Sequence, residues 1–315
     1  REGGSWRLDE YGPVGDPFFS SVADYDVTFD VPAREQIVGS GILTSVDEAS
    51  PGRRMWHFVA PEVRDAAFVV GPFLRGLEQD IGGITVRSWF DADQRIEGSE
   101  TLATAVSAME HFVAAYGDLP FDEAEVVETG GSFGGMEYPG IVFISGAEGS
   151  LQGLPLIPEL LEHSGFNRAI RTYVTGHELA HQWWYAAVGN DQVREPWLDE
   201  ALAEISVREW LNIVEGDNDT FLMTNLTSDV VPRRGVLGAG IDDFGTNAGY
   251  TDAVSLEGAA VLFHLKRTLG GERFAELLRG YYAGNLQGIG TTESFLETLR
   301  AVGGPAAVDE LLRYL

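Results

Sequence analysis

Residues 177–204 read HELAHQWWYAAVGNDQVREPWLDEALAE. His177 and His181 stand four apart, so on one helix their imidazoles are separated by about 40° around the axis and reach for a common point. Glu178 falls beside them, close enough to hold a water at a metal without entering its coordination sphere. Zinc takes nitrogen and oxygen ligands in a tetrahedron, and a catalytic site keeps one corner for water, so one more protein ligand is required. Glu200 is the candidate. The chain can turn at Gly189-Asn190, run through Asp191 to Glu195 and start a helix near Pro196, which suits a first helical position. That path returns Glu200 antiparallel to the first helix. The bland alternative is a half-exposed helix that merely happens to be rich in His and Glu; a third ligand at a workable spacing weighs against it.

The rest of the chain is organised around this run. Between residues 18 and 97 the sequence reads as strands: Tyr25, Val27, Phe29 and Val31 alternate with polar neighbours, and WHFVA, AAFVVG and ITVRSWF follow at short intervals. From Ser99 the period becomes helical, with Leu102, Val106, Met109, Phe112 and Val113 in a stretch that stops at Gly117. A domain boundary is therefore expected near residue 98, with a β-rich region over 1–97 and a mainly helical one over 98–315. Past it, EAEVVETGGSFGGMEYPGIVFIS sets two strand-like runs around a glycine-rich turn, where the backbone can approach a neighbour or ligand closely. EGSLQGLPLIPELLEHSGF reads as a loop with a short helix. Helices are expected over 166–188 and 197–214 and through the remainder, with Thr291 or Thr292 and a following glutamate as an N-cap signal, and Gly270 and Gly303 as stops.

Composition narrows the chemistry. The 315 residues carry a formal charge of −28 and 44% hydrophobic side chains, a composition that affords a large core and argues against nucleic acid or anionic membrane as partners. There is no cysteine, so disulfides and thiolate metal sites are excluded and His and carboxylate remain as the strong ligands. The acidity reads as a solvated surface that aids solubility, with attraction of cationic substrates as the functional alternative. No apolar run reaches the length of a transmembrane helix. Arg1 is not a natural start, so a processed or excised piece is expected, and nothing in the residues fixes its compartment. A monomer is expected rather than an oligomer.

On both sides of the metal run the text resembles the aminopeptidase N-like zinc metallopeptidases, which include the leukotriene hydrolases. Their signature is HExxH, eighteen residues and Glu; residues 182–199 make up that spacing here, within HELAHQWW and WLDEALAE. A second family pattern, GxMEN, is met by GGMEY, Gly134 to Tyr138. The resemblance spans essentially the whole chain. It implies an α+β fold with a β-rich N-terminal domain followed by a thermolysin-like, mainly helical catalytic domain. It also implies one zinc ion held by His177, His181 and Glu200, with Glu178 as general base on the metal's water. Glu137, with Gly134, Gly135 and Met136 around it, would bind the free amino terminus of a peptide. Where the family has Asn this chain has Tyr138, and where the family's helix carries an oxyanion-binding tyrosine it has Ser255, within Val254-Ser255-Leu256-Glu257-Gly258-Ala259. Losing one such donor costs about 10²–10³ in rate. Tyr250, five residues earlier, either replaces that donor or shapes the pocket.

The resemblance implies a zinc aminopeptidase, one that is slowed if nothing replaces the oxyanion donor missing at Ser255. The alternative is a zinc- and peptide-binding pseudoenzyme, and a thermolysin-type endopeptidase is a third reading, against which Glu137 argues. Glu204, one turn past Glu200, either accepts an N–H from a ligating histidine or is a solvated charge, and Asp199 is equally ambiguous. Trp183, Trp184 and Trp197 read as core. His57, His111, His163 and His264 lack ligand spacing. Family members often carry a helical C-terminal domain that roofs the site; this chain is expected to lack one and to have a more open cleft.

Overall fold

In the computed structural model, residues 12–72, 74–130, 133–145, 164–214 and 232–315 are described. The alternating pattern at Tyr25–Val31 forms β1 (Ala23–Pro32), with those residues on the half-buried face. It is followed by β2 (Gln36–Gly39), β3 (Ile42–Ser50), β4 (Arg53–Val63), β5 (Phe68–Gly71), β6 (Leu74–Ile81) and β7 (Ile84–Asp91). β1, β4 and β3 make one antiparallel sheet in that order, and β2 pairs with β5.

A five-stranded sheet then carries the chain into the helical part. After α1 (Arg95–Tyr116) come β8 (Glu123–Thr129), β9 (Gly135–Met136) and β10 (Ile141–Ser145), and the sheet order is β6-β7-β8-β10-β9. β7 runs parallel to β8, with Thr85 opposite Glu123 and Trp89 opposite Val127. The division expected near residue 98 therefore cuts through a hydrogen-bonded sheet. The change from strands to helices at that point is real, but it marks one crossover helix between two parallel strands. α1 ends where its stop signal stands, at Gly117 with φ 110°.

α2 (Ser164–Ala180) and α3 (Trp197–Val214) supply the metal run. α2 is shorter than its expected extent to residue 188. Beyond it the amides of Ala186, Ala187 and Val188 bond to the carbonyls of His181, Gln182 and Trp183, five residues back, so the chain winds more widely than an α-helix. Arg64, from the end of β4, holds this turn: its Nε donates to Tyr185 O at 2.7 Å and its other nitrogens donate to Ser20 O, Ala187 O and Gly288 O. The arginine is 2% exposed and so spends its guanidinium almost wholly on main-chain carbonyls. α3 begins directly after Pro196, as expected.

The chain then passes through α4 (Asn247–Thr251), a π turn over Asp252–Leu256, α5 (Glu257–Leu269), α6 (Gly271–Asn285) and α7 (Thr292–Leu311). Thr291 caps α7, with Ser294 instead of a glutamate closing the capping box. Gly270 stops α5 with φ 85°. The second stop falls at Gly304, one residue after the expected Gly303, where φ is 75° and Pro305 opens the next turns. Of the stretch 148–166, read as a loop with a short helix, residues 148–163 lie outside the described residues and the last three open α2.

The core lies between the sheet and the helices. Trp183, Trp184 and Trp197 are fully buried, as their flanking sequence implied. Trp183 and Trp184 pack edge-to-face on Tyr116, and Trp197 on Phe295. Truncating one such side chain to alanine costs about 3–5 kcal/mol.

Candidate metal centre

α2 and α3 run antiparallel: a Cβ on Gly176 would meet Val207 and Trp210, His177 stands by Glu204, and His181 stands by Glu200. His177 Nε2 and His181 Nε2 face each other at 3.2 Å, with Glu200 carboxylate oxygens 3.6 Å and 3.9 Å away. The other ring nitrogen of His181 lies 3.0 Å from Trp184 O and must carry its hydrogen there, so Nε2 is left with a lone pair. Two nitrogens at bond lengths of about 2.0–2.1 Å on a tetrahedral ion stand about 3.3 Å apart. The donor set, its spacing and the fixed tautomer all fit zinc.

A further layer holds the imidazoles. His177 Nδ1 is 3.3 Å from Glu204 Oε2, and Glu204 is fixed by Arg208 Nε at 2.6 Å and by the Tyr173 hydroxyl. The sequence left Glu204 open between this role and a solvated charge; it is fully buried. Ser255 Oγ donates to Glu200 Oε2 at 2.9 Å. The single hydrogen of this serine is thus spent on Glu200.

Glu178 is 7% exposed, and its carboxylate has no hydrogen-bond partner among the described residues. Burial, opposed by the His177 charge and reinforced by Glu200 and Asp16, pushes it up to about 8. β9 presses against it: a Cβ on Gly135 would lie 2.2 Å from Glu178 Oε1, so only glycine lets this edge strand pass so close. Burial alone would raise Glu200, but the close approach of the His177 ring and the charges of both histidines hold it down at about 2. Burial and the neighbouring His177 push His181 down to about 4.

Glu137 lies just behind the two histidines, 3% exposed. Its carboxylate, that of Asp199 and a ring nitrogen of His181 lie within 4.8 Å of one another. Gln192 Nε2 donates to Asp199 Oδ2 at 2.5 Å and to Glu137 Oε1 at 3.4 Å. Burial, then the charges of Asp16, Glu178 and Glu200, raise the Glu137 carboxyl well above the usual carboxylate range. Its loop is clamped to the turn after α2, where Gln182 accepts from Gly140 N at 2.8 Å and donates to Tyr138 O at 3.1 Å. The Tyr138 ring packs on Phe143, its centroid 5.4 Å away.

A cleft of about 440 Å³ opens over this cluster, walled by Phe133, Gly134, Gly135, Glu178, Tyr250 and Ser255 among others. Met136 is on β9 but does not line it. The π turn explains why Tyr250 and Ser255 both do: the amide of Glu257 bonds to Asp252 O, and this wider winding brings residues five apart onto one face. Tyr250 is 5% exposed, and its hydroxyl has no partner among the described residues. The sequence missed Asp16, Gln182 and Gln192. Asp16 reaches the cleft on the segment before β1, which Gln192 anchors at Phe18 from 174 positions further along the chain.

Residues 125–314 match the Peptidase family M1 domain. The chain belongs to this family. The M1 zinc metallopeptidase of Deinococcus radiodurans is similar in structure, at 20% identity and a TM-score of 0.68, over 93% of this chain and 63% of that one. A mutant of the Deinococcus enzyme bound to a Tyr-Ser-Ala substrate is similar at 20% identity and a TM-score of 0.66, over 94% of this chain and 64% of that one. A two-domain M1 zinc metallopeptidase mutant bound to L-arginine gives 20% and 0.67, over 93% and 63%. This M1 chain therefore spans less than two thirds of the length of these M1 structures, and no curated protein matches it. The β-rich region followed by a helical M1 domain is the expected α+β fold. No helix among the described residues is long and apolar enough to cross a membrane.

Proposed function

We propose that this M1 chain is a zinc-dependent aminopeptidase that removes the first residue of peptides with a free amino terminus. One observation carries the reading: two imidazole Nε2 atoms face each other beside Glu200, next to the buried Glu178, whose carboxylate has no hydrogen-bond partner among the described residues. His177, His181 and Glu200 would hold one zinc ion. When bound, zinc supplies Lewis-acid polarisation of the scissile carbonyl and of the attacking water. Glu178 takes the proton from that water as the carbonyl is attacked and delivers it to the leaving amine. Its raised affinity for a proton and its lack of a competing partner suit both transfers.

Glu137 pairs with the substrate's α-ammonium, its carboxylate oriented by Gln192. Fixing that ammonium a set distance from Glu178 selects the first peptide bond. Gly134 and Gly135 let the edge strand lie close to the substrate, and Met136 holds their register on β10. Tyr250 donates its free hydroxyl to the developing oxyanion, since the hydrogen of Ser255 is committed to Glu200. A pseudoenzyme, the rival reading, has less support because Tyr250, whose hydroxyl has no partner among the described residues, lines the cleft.

The test is hydrolysis of aminoacyl 4-nitroanilides by the zinc-loaded protein and by Glu178→Gln. The variant is expected to lose about 10²–10⁴ in kcat with its zinc content unchanged; equal rates would overturn the mechanism. Amino-acetylated peptides are expected to resist cleavage, and their hydrolysis at comparable rates would favour an endopeptidase. For Tyr250→Phe a loss of about 10²–10³ in kcat is expected.

A further inference from the structure

The cleft holds more carboxyl groups than the proposed reaction uses. Asp16, Glu137, Glu178, Asp199, Glu200 and Glu204 lie in it or directly beneath it. Glu204 is matched by Arg208, and Asp199 is hydrogen-bonded by Gln192 and by the amide of Glu200. A divalent ion and one α-ammonium answer Glu200, Glu137 and the ionised Glu178. Asp16 is left over. Among the described residues its carboxylate has no hydrogen bond and no ion pair, and His177 is the only basic side chain lining the cleft.

Asp16 is not a loose surface acid. The segment carrying it is tied down on both sides, by Gly15 N to Asn247 Oδ1 at 2.9 Å and by a reciprocal pair, Phe18 N to Gln192 Oε1 at 3.1 Å and Gln192 N to Phe18 O at 3.2 Å. Gly15, with φ 61°, lies so close to Tyr250 that a Cβ there would stand 2.9 Å from the ring. A fixed, unpartnered carboxylate beside the Tyr250 ring is the complement of a cation at the end of an apolar stem. Resting on the aminopeptidase reading, we infer that Asp16 is a specificity residue that pairs with the cationic side chain of the substrate's first residue. The preferred substrates are then peptides beginning with arginine or lysine.

The experiment compares kcat/KM for Arg-, Lys-, Leu- and Ala-4-nitroanilide with the zinc-loaded wild type and Asp16→Asn. Wild type is expected to prefer the basic substrates over leucine by about tenfold or more, the value of one hydrogen bond to a charged group. In Asp16→Asn that ratio is expected to collapse to within about threefold, mainly through KM, and in wild type to shrink with added salt. A wild type without basic preference overturns the inference. So does an equal loss on all four substrates, which would make Asp16 a second clamp on the α-ammonium. If no anilide is turned over, the aminopeptidase reading fails and calorimetry decides this inference separately. Glu178→Gln loaded with zinc is titrated with Arg-Ala and with Leu-Ala; tighter binding of Arg-Ala that disappears on adding Asp16→Asn supports it, and equal affinities overturn it.

Discussion

At the scale of single residues, the site is a balance of buried charges that a metal must settle. Burial raises Asp199 and Glu178 to about 8, and His177 is raised well above its ordinary value because Glu200 and Glu204 outweigh its desolvation. Groups bound more tightly to protons in the folded than in the unfolded chain lend their stability at low pH and lose it as pH rises through the folded values. His181, lowered to about 4, works the other way, but only below its unfolded value of 6.5. The metal-free protein is therefore expected to lose stability between pH 6.5 and 8. Zinc, which favours the deprotonated ligands, is expected to raise Tm more at pH 8 than at pH 6.5. Thermal scans with zinc and with chelator at the two pH values check this, and an equal shift at both would contradict it. Ser255→Ala, which strips the hydrogen bond from Glu200, is expected to weaken zinc binding about 10- to 100-fold in a chelator competition. His177, His181, Glu178 and Glu200 were legible in the sequence because helical period and a short connection bring them together. Gln182, Gln192 and Asp16 were not, because each acts on residues dozens of positions away and none belongs to a periodic pattern.

At the scale of elements, two irregular pieces aim the side chains. The edge strand β9 passes Glu178 so closely that Gly135→Ala must push the glutamate or the strand aside. It is expected to lower kcat about 10²-fold while leaving zinc content intact, since misplacement of about 1 Å costs that much. The second piece is the π turn. Its wider winding keeps Tyr250 and Ser255 on one face, where α winding of the same residues would set them about 140° apart around the axis. A helix near residue 250 was readable from sequence; its wider winding was not, because DAVSL is as compatible with an α-helix as with a π turn. The overlong expectation for α2 failed for a related reason: WWYAAV continues the helical pattern, and it is Arg64, far away in sequence, that captures the carbonyls of the turn.

At the scale of the whole molecule, the β-rich and helical parts are joined by a continuous sheet and by that one arginine. Arg64→Ala would leave buried carbonyls of the turn unpaired, at a cost of about 3 kcal/mol or more. Urea denaturation is expected to show a lower midpoint with an unchanged slope. The alternation in β1 and the helical period after residue 98 were sufficient to read the fold class. Parallel pairing between β7 and β8 was not readable, because each strand looks the same whichever neighbour it takes. That pairing also dictates how segments can be exchanged with related proteins. A chimaera joined at residue 98 would have to re-form a foreign parallel interface along β7 and β8, and is expected to be insoluble. Joined at residue 72, between β5 and β6, it would inherit the whole five-stranded sheet from one parent. The grip of Arg64 on main-chain oxygens demands only that the other parent bring an arginine to the same point.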